Sequence, residues 1–209
     1  MRYRYIAVEG PIGVGKTSLA RRIADRLEAR LLLEETENPF LPDFYADRPG
    51  AAFQAQIFFL LSRHQQQRPL AQQELFHAAT VCDYLFVKDR IFAYLNLSDE
   101  ELATYEKLYR ILVEGLPRPD LVLYLQARDE VLMRRIATRG REFERQIAPE
   151  YVSELNRAYE HFFFHYDDSP LLVVNSSEAD LSRGGREVDE LLRQIDEMRG
   201  GTRYYSPVP

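Results

Sequence analysis

With 209 residues and a formal net charge of −6, the chain has the size of one well-buried domain and is too acidic for a nucleic acid polymer as its main partner. Hydrophobic residues are 45% and charged residues 29% of the total, an ordinary globular composition with no apolar run approaching a membrane span. The single cysteine, Cys82, excludes an internal disulfide framework and a cysteine metal cluster, and reads as a structural thiol.

Met1 to Arg4 leads straight into an apolar segment of strand length, Tyr5, Ile6, Ala7 and Val8, which leaves no room for a leader and makes a cytoplasmic protein the expectation. Next comes Gly10-Pro11-Ile12-Gly13-Val14-Gly15-Lys16-Thr17, which fits the phosphate-cradling pattern G-x-x-x-x-G-K-[ST]. Backbone without Cβ atoms lets successive N–H groups turn toward a triphosphate, Lys16 sets a point charge on its β- and γ-phosphates, and Thr17 offers a hydroxyl to Mg²⁺. Leu19, Ile23 and Leu27 then recur every fourth residue, so a helix runs to about Glu28 and points its N-terminal dipole at the same anion.

Residues 30–33 read as a buried strand ending in Glu34-Glu35. Carboxylates at strand ends collect at the functional edge of an open α/β sheet, and because alternate residues face opposite ways only one of this pair faces the nucleotide. A long helix is expected from Ala51 to about His77, with Phe53, Ile57, Leu60 and Leu61 on its apolar face and Gln56 and Arg63 two turns apart on one flank. Thr80, Val81 and Cys82 form a short strand that delivers Asp83, either to Mg²⁺ or its water shell or to a capping role.

Ser98-Asp99-Glu100-Glu101 opens a further helix as a capping box, and Gly115, Pro117 and Pro119 close it. Residues 121–125 are another buried strand. The segment 134–145 is the densest cationic stretch of the acidic chain; following a strand and helix in a chain with a phosphate loop, it reads as an arginine-bearing lid over phosphates. An aromatic-rich helix from Glu150 to about Asp168, a strand over 171–175 and a closing helix from Val188 to Met198 complete the domain. Strands separated by helices throughout give an α/β fold of the P-loop NTPase type, three layers around a five-stranded parallel sheet, with residues 1–199 as one domain and 200–209 as a flexible tail.

Taken together, the phosphate loop, Asn38-Pro39-Phe40 with Phe44-Tyr45, Phe53-Gln54-Ala55-Gln56 with Leu61-Ser62-Arg63, Asp83-Tyr84, Ile91-Phe92-Ala93, and Arg135-Ile136 with Arg139-Gly140-Arg141 give a chain that resembles the deoxynucleoside kinase family, in particular the bacterial deoxyadenosine and deoxyguanosine kinases. The resemblance implies transfer of the γ-phosphoryl of ATP, with Mg²⁺, to the 5′-hydroxyl of a 2′-deoxynucleoside. By that resemblance the residues from Gly10 to Thr17, with Arg135 and Arg139, hold ATP. Thr17 and Asp83 serve the metal, with Asp83 also toward the substrate, and Lys16 and Arg141 meet the charge on the transferring phosphoryl. Tyr45 and Glu144 match the pair that holds the sugar 3′-hydroxyl, and Gln56 and Arg63 the pair that reads the base. The glutamate after the second strand is the family's general base; Glu35 is expected in that role over Glu34, because it lies nearer the loop and precedes a non-acidic residue.

The chain departs from the family pattern where Asp83-Tyr84 replaces an acidic residue followed by Arg-Ser, and where the spacing from Glu34-Glu35 to Asn38-Pro39 is short. The family's base-facing carboxylate has no assigned counterpart, Lys88 and Asp89 being the nearest positions. A purine acceptor is expected from Gln56, Arg63 and the small residues Ala51, Ala52 and Ala55. The alternatives are a pyrimidine deoxynucleoside kinase, a thymidylate-type monophosphate kinase and, more remotely, a non-catalytic scaffold subunit of this fold. A homodimer is expected, with the aromatic run Phe162-Phe163-Phe164 as one face it could use and no membrane partner.

Overall fold

Apolar runs of five or six residues with no polar alternation belong to strands covered on both faces, and the strands found here are of that kind near the sheet centre. In the computed structural model, which describes residues 2–71, 79–141, 144, 146–179, 181 and 184–207, β1 (Tyr5–Glu9) and β4 (Leu121–Gln126) are buried along nearly their whole length. With β2 (Arg30–Leu32), β3 (Thr80–Cys82), β5 (Leu171–Asn175) and β6 (Thr202–Tyr205) they form one parallel sheet of order β2-β3-β1-β4-β5-β6.

The sheet therefore has six strands rather than the expected five, and the sixth comes from the segment read as a flexible tail. Thr202–Tyr205 pairs in register with Leu171 to Val174, and the Leu171 amide donates to the Gly201 carbonyl at 2.9 Å. At the sheet edge only one face of β6 is covered: Arg203 and Tyr205 are half-buried while Thr202 and Tyr204 are exposed, so the segment carries no apolar run. At the opposite edge, β2 is half-buried rather than buried.

Helices cover both faces. α1 (Lys16–Leu27) buries Leu19, Ala20, Ile23 and Ala24 against the sheet. α2 (Leu41–Tyr45) and α3 (Ala51–Gln67) follow β2. α3 stops at Gln67 instead of reaching His77, because Pro69 lacks an N–H and disfavours helical geometry before it; Arg68–Ala71 tighten into a 3₁₀ turn, and His77 lies outside the described residues. α4 (Lys88–Asn96) was not foreseen, whereas α5 (Asp99–Val113) starts on the expected capping box, Glu101 Oε2 accepting from Ser98 N and Oγ at 3.0 and 2.9 Å.

α6 (Asp129–Arg139) and α8 (Arg186–Glu197) pack with α1 on one side; α7 (Pro149–Phe164) packs with α4 on the other. The aromatic run on α7 serves the core first: Phe163 stacks on Tyr124 at 4.0 Å, and Phe164 alone of the three is exposed. Among the described residues no helix is long and apolar enough to cross a membrane. Because all strands run in parallel, their carboxyl ends share one edge, and β1, β2 and β3 deliver their following loops to a single cleft there.

Candidate active site

The loop between β1 and α1 needs backbone that L side chains resist. Gly13 and Gly15 have φ of +85° and +104°, and a Cβ on Gly13 would come within 2.9 Å of the Leu132 carbonyl oxygen. Lys16 Nζ donates to the Gly10 and Pro11 carbonyls at 2.6 and 3.2 Å, closing the loop on itself. Burial, with Lys88 nearby, lowers the Lys16 pKa to about 8. Behind the loop lies Glu9, a fully buried carboxylate accepting from Gly10 N, Leu85 N and the Tyr159 hydroxyl at 2.8, 2.7 and 3.1 Å. Sequence reasoning missed it, although a lone acid ending an apolar strand was the available sign.

Asp83 is delivered by β3 as expected. Its Oδ2 accepts from Thr17 Oγ1 at 2.5 Å and its Oδ1 from the Glu34 amide at 2.6 Å. A hydroxyl and a carboxylate oxygen beside a phosphate loop form a hard donor set that suits Mg²⁺, which keeps several waters and takes the rest of its shell from phosphate. Among the described residues no cluster of three or more acidic, His or Cys groups forms an all-protein cage.

The acidic pair after β2 is resolved one residue earlier than expected. Glu34 lines the cleft, 15% exposed, whereas Glu35 is exposed and lines no part of it. The cause is the strand end: the Glu34 amide is pinned to Asp83, which turns residue 34 inward and sends residue 35 out. Arg63 Nε and Nη2 donate to Glu34 Oε1 at 2.8 and 2.6 Å, and Lys88 Nζ to Oε2 at 2.8 Å. Burial alone would raise the Glu34 pKa, but Lys88, Arg63 and Lys16 outweigh it and hold the carboxyl at about 2.

Gln56 and Arg63 sit on one flank of α3 as expected, both buried and both lining the cleft. Ala52 and Ala55 line it beside them; Ala51 is buried and does not. Behind the pair stands the carboxylate that sequence reasoning left unassigned, Asp89. It accepts from Gln56 Nε2 at 2.5 Å, from the Tyr105 hydroxyl at 2.8 Å and from Arg63 Nη1. Asp89 lies on the first turn of α4, so the unforeseen helix is what puts it there.

The cationic stretch after β4 closes the cleft from the other side. Arg135 donates to the Val14 carbonyl and to Ser176 Oγ and O at 3.1, 3.2 and 2.8 Å, tying the phosphate loop to the loop after β5. Arg139 Nε and Nη2 donate to Glu144 at 3.0 and 2.5 Å, with Arg141 3.6 Å from the same carboxylate. Tyr45, at the end of α2, lines the cleft with Glu144; burial and then its neighbours Tyr151 and Glu144 raise its pKa. Glu142, Phe143 and Arg145 of this stretch lie outside the described residues. The cleft so enclosed has a volume of about 1070 Å³ and is lined by every site residue expected from sequence except Glu35 and the buried Gly10 and Pro11 of the loop.

A model of the deoxynucleoside kinase family matches residues 6–199, the phosphate loop through α8. The chain belongs to the deoxynucleoside kinase family. Among its relatives, a deoxyguanosine kinase of Bacillus subtilis is 37% identical over 158 residues, covering 75% of this chain and 76% of that one. The deoxyadenosine/deoxycytidine kinase of the same organism is 32% identical over 199 residues, covering 91% and 90%. Of solved structures, a deoxyadenosine kinase from M. mycoides with dCMP and a flexible dCDP bound superposes with a TM-score of 0.80 at 27% identity, over 93% of this chain and all of the other. The same enzyme with dATP bound gives 0.75 at 26% identity, with the same coverage. This kinase is thus a phosphotransferase acting on deoxynucleosides, and the scaffold alternative falls away.

Proposed function

We propose that this deoxynucleoside kinase transfers the γ-phosphoryl of ATP to the 5′-hydroxyl of a purine 2′-deoxynucleoside, with Glu34 as general base. The observation that carries the reading is the place of Glu34. Two hydrogen bonds link it to Arg63 at the base-reading end, and another links its amide to Asp83 beside Thr17 at the phosphate end. A carboxylate between a base site and a phosphate site stands where a 5′-hydroxyl must lose its proton. Lys16 and the lid residues Arg135, Arg139 and Arg141 would meet phosphate charge, and Mg²⁺ held through Thr17 and Asp83 would neutralise part of it. Tyr45 and Glu144 would take the sugar 3′-hydroxyl.

The purine assignment rests on Gln56, Arg63 and the two alanines. An amide bearing both a donor and an acceptor, next to a donor-only guanidinium, suits the N6/N7 or O6/N7 edge of a purine, and Ala52 and Ala55 leave room for two rings. The names of several relatives point the same way, although deoxycytidine occurs among them. The test is kcat/KM with ATP for the four deoxynucleosides and their monophosphates. A purine nucleoside is expected to lead by about tenfold or more. A pyrimidine leader overturns the purine assignment, a preferred monophosphate overturns the acceptor class, and failure with ATP but turnover with another triphosphate overturns the donor.

We further infer a homodimer, formed by a second copy of this chain. Leu61 on α3 and Leu108 and Ile111 on α5 are apolar and exposed on helices that pack together. Sedimentation velocity on the wild type and on Ile111→Lys checks it; a monomeric wild type refutes it.

A further inference from the structure

The side chain that follows Asp83 brings no cation to the cleft. Tyr84 is fully buried and lines no part of the site. A charge nevertheless stands there, because Lys88 enters from the first turn of α4. Its Nζ lies 2.8 Å from Glu34 Oε2 and 6.0 Å from the centre of the Tyr84 ring, over which it passes. Lys88 lines the cleft although only 3% of its side chain is exposed.

That position is costly on two counts. Burial strips the ammonium of water, and the N-terminal turn of a helix is the positive end of its dipole, where an anion is favoured and a cation is not. What the lysine adds is charge at one oxygen of the carboxylate that must act as base, while Arg63 occupies the other.

We propose that Lys88 is the positioning residue for the general base, holding the Glu34 carboxylate aimed at the acceptor hydroxyl from the first turn of α4. The inference rests on the reading of Glu34 given above. In the step it serves, the 5′-hydroxyl proton passes to Glu34 as the bond from O5′ to the γ-phosphorus forms. The bond from that phosphorus to the β,γ-bridging oxygen breaks, and ADP leaves with its electron pair. Neutralising Glu34 removes the counter-ion of Lys88 as the acceptor oxygen becomes part of a phosphate ester, so the same ammonium can then bear on the product's charge.

The other charged groups around Glu34 are Arg63 on α3, Lys16 at the start of α1 and Asp83 after β3; Asp89 on α4 is paired with Arg63, and Glu9 of β1 is held behind the phosphate loop. Arg63 and Lys16 remain when Lys88 is removed. What is lost is the donor on Glu34 Oε2, which leaves the carboxylate held through Oε1 by Arg63.

The experiment compares Lys88→Met, Lys88→Gln and Lys88→Arg with the wild type, measuring kcat, nucleoside KM and Tm with the wild type's best deoxynucleoside and ATP at pH 7. Met and Gln are expected to lower kcat by roughly 10- to 100-fold, with nucleoside KM within about threefold. Lys88→Arg should recover most of the rate, because it returns a cationic donor to Glu34 Oε2. A merely structural lysine would lower Tm without a selective loss of kcat in the folded variants. The proposal is overturned if the folded Met or Gln variant turns over within threefold of wild type, or if its loss appears in nucleoside KM rather than in kcat. The Gln variant, which keeps a hydrogen bond and similar size, decides the matter should Met not fold. A wild type that phosphorylates no deoxynucleoside would instead refute the function proposed above, so the two failures are distinguishable.

Discussion

Replacing Glu34 by glutamine keeps the shape and removes one negative charge from between Lys88 and Arg63. If Glu34 is the base, the loss in kcat is about 10² or more, which at 1.36 kcal/mol per decade is about 2.7 kcal/mol of transition-state stabilisation. The fold should feel it too. Arg63 keeps Asp89, but Lys88, 3% exposed, is left at the N-terminal turn of α4 without its carboxylate. Breaking one partner out of a buried pair costs about 3–5 kcal/mol, and the surviving Arg63–Asp89 pair puts this case at the lower end. The depression of the Glu34 pKa from 4.5 to about 2, set by the same charges, corresponds to about 3 kcal/mol of stability. For a chain of this length that lowers Tm by about 6–12 °C.

The sign with pH follows from the depressed value. Glu34 contributes its full stability above pH 4.5 and loses it as pH falls toward 2, so the stability gap between wild type and Glu34→Gln should close over that window. Steady-state ADP formation at saturating nucleoside, with thermal unfolding at pH 7 and at several lower values, measures both effects. Glu35→Gln, on an exposed side chain, should stay within about threefold in rate and about 0.5 kcal/mol in stability. A larger rate loss in Glu35→Gln than in Glu34→Gln would refute the strand-end register and the base assignment together.

Lys16→Ala is expected to abolish phosphoryl transfer with little change in Tm, since among the described residues Lys16 donates to the Gly10 and Pro11 carbonyls of its own loop; measurable turnover in the variant would count against the ATP site. Because burial lowers the Lys16 pKa to about 8, ATP binding above pH 8 should weaken and take up a proton, read by calorimetry in buffers of different ionisation enthalpy. Gly13→Ala should cost about 2–5 kcal/mol in denaturant unfolding, from the left-handed φ and the approach to Leu132 and Ile136, and should impair nucleotide binding. The Cys82 thiol is fully buried and its pKa is raised, first by that burial, so it should react with a thiol reagent only after unfolding.

The phosphate loop, the capping box at Ser98, the stripe of α1 and the central strands were legible in the sequence because each is set by neighbours a few residues away. Glycines that permit positive φ, an oxygen three residues before its partner, and apolar side chains repeating at a helical period need no knowledge of the rest of the chain. Gln56 and Arg63 could be placed on one flank for the same reason. Other features were decided only in three dimensions. Which glutamate of the pair at 34 and 35 enters the cleft depends on the Asp83 carboxylate 49 residues further on, which captures the Glu34 amide. The short helix at Lys88–Asn96 brings Lys88 to Glu34 and Asp89 to Arg63, pairings that no local pattern announces. β6 is held by backbone bonds to β5 at an edge where only alternate side chains need covering, so its sequence resembled a tail. Local propensity and periodicity encode elements and their faces; contact between a strand end and a distant loop is a property of the assembled sheet, where the charges of this site acquire their partners.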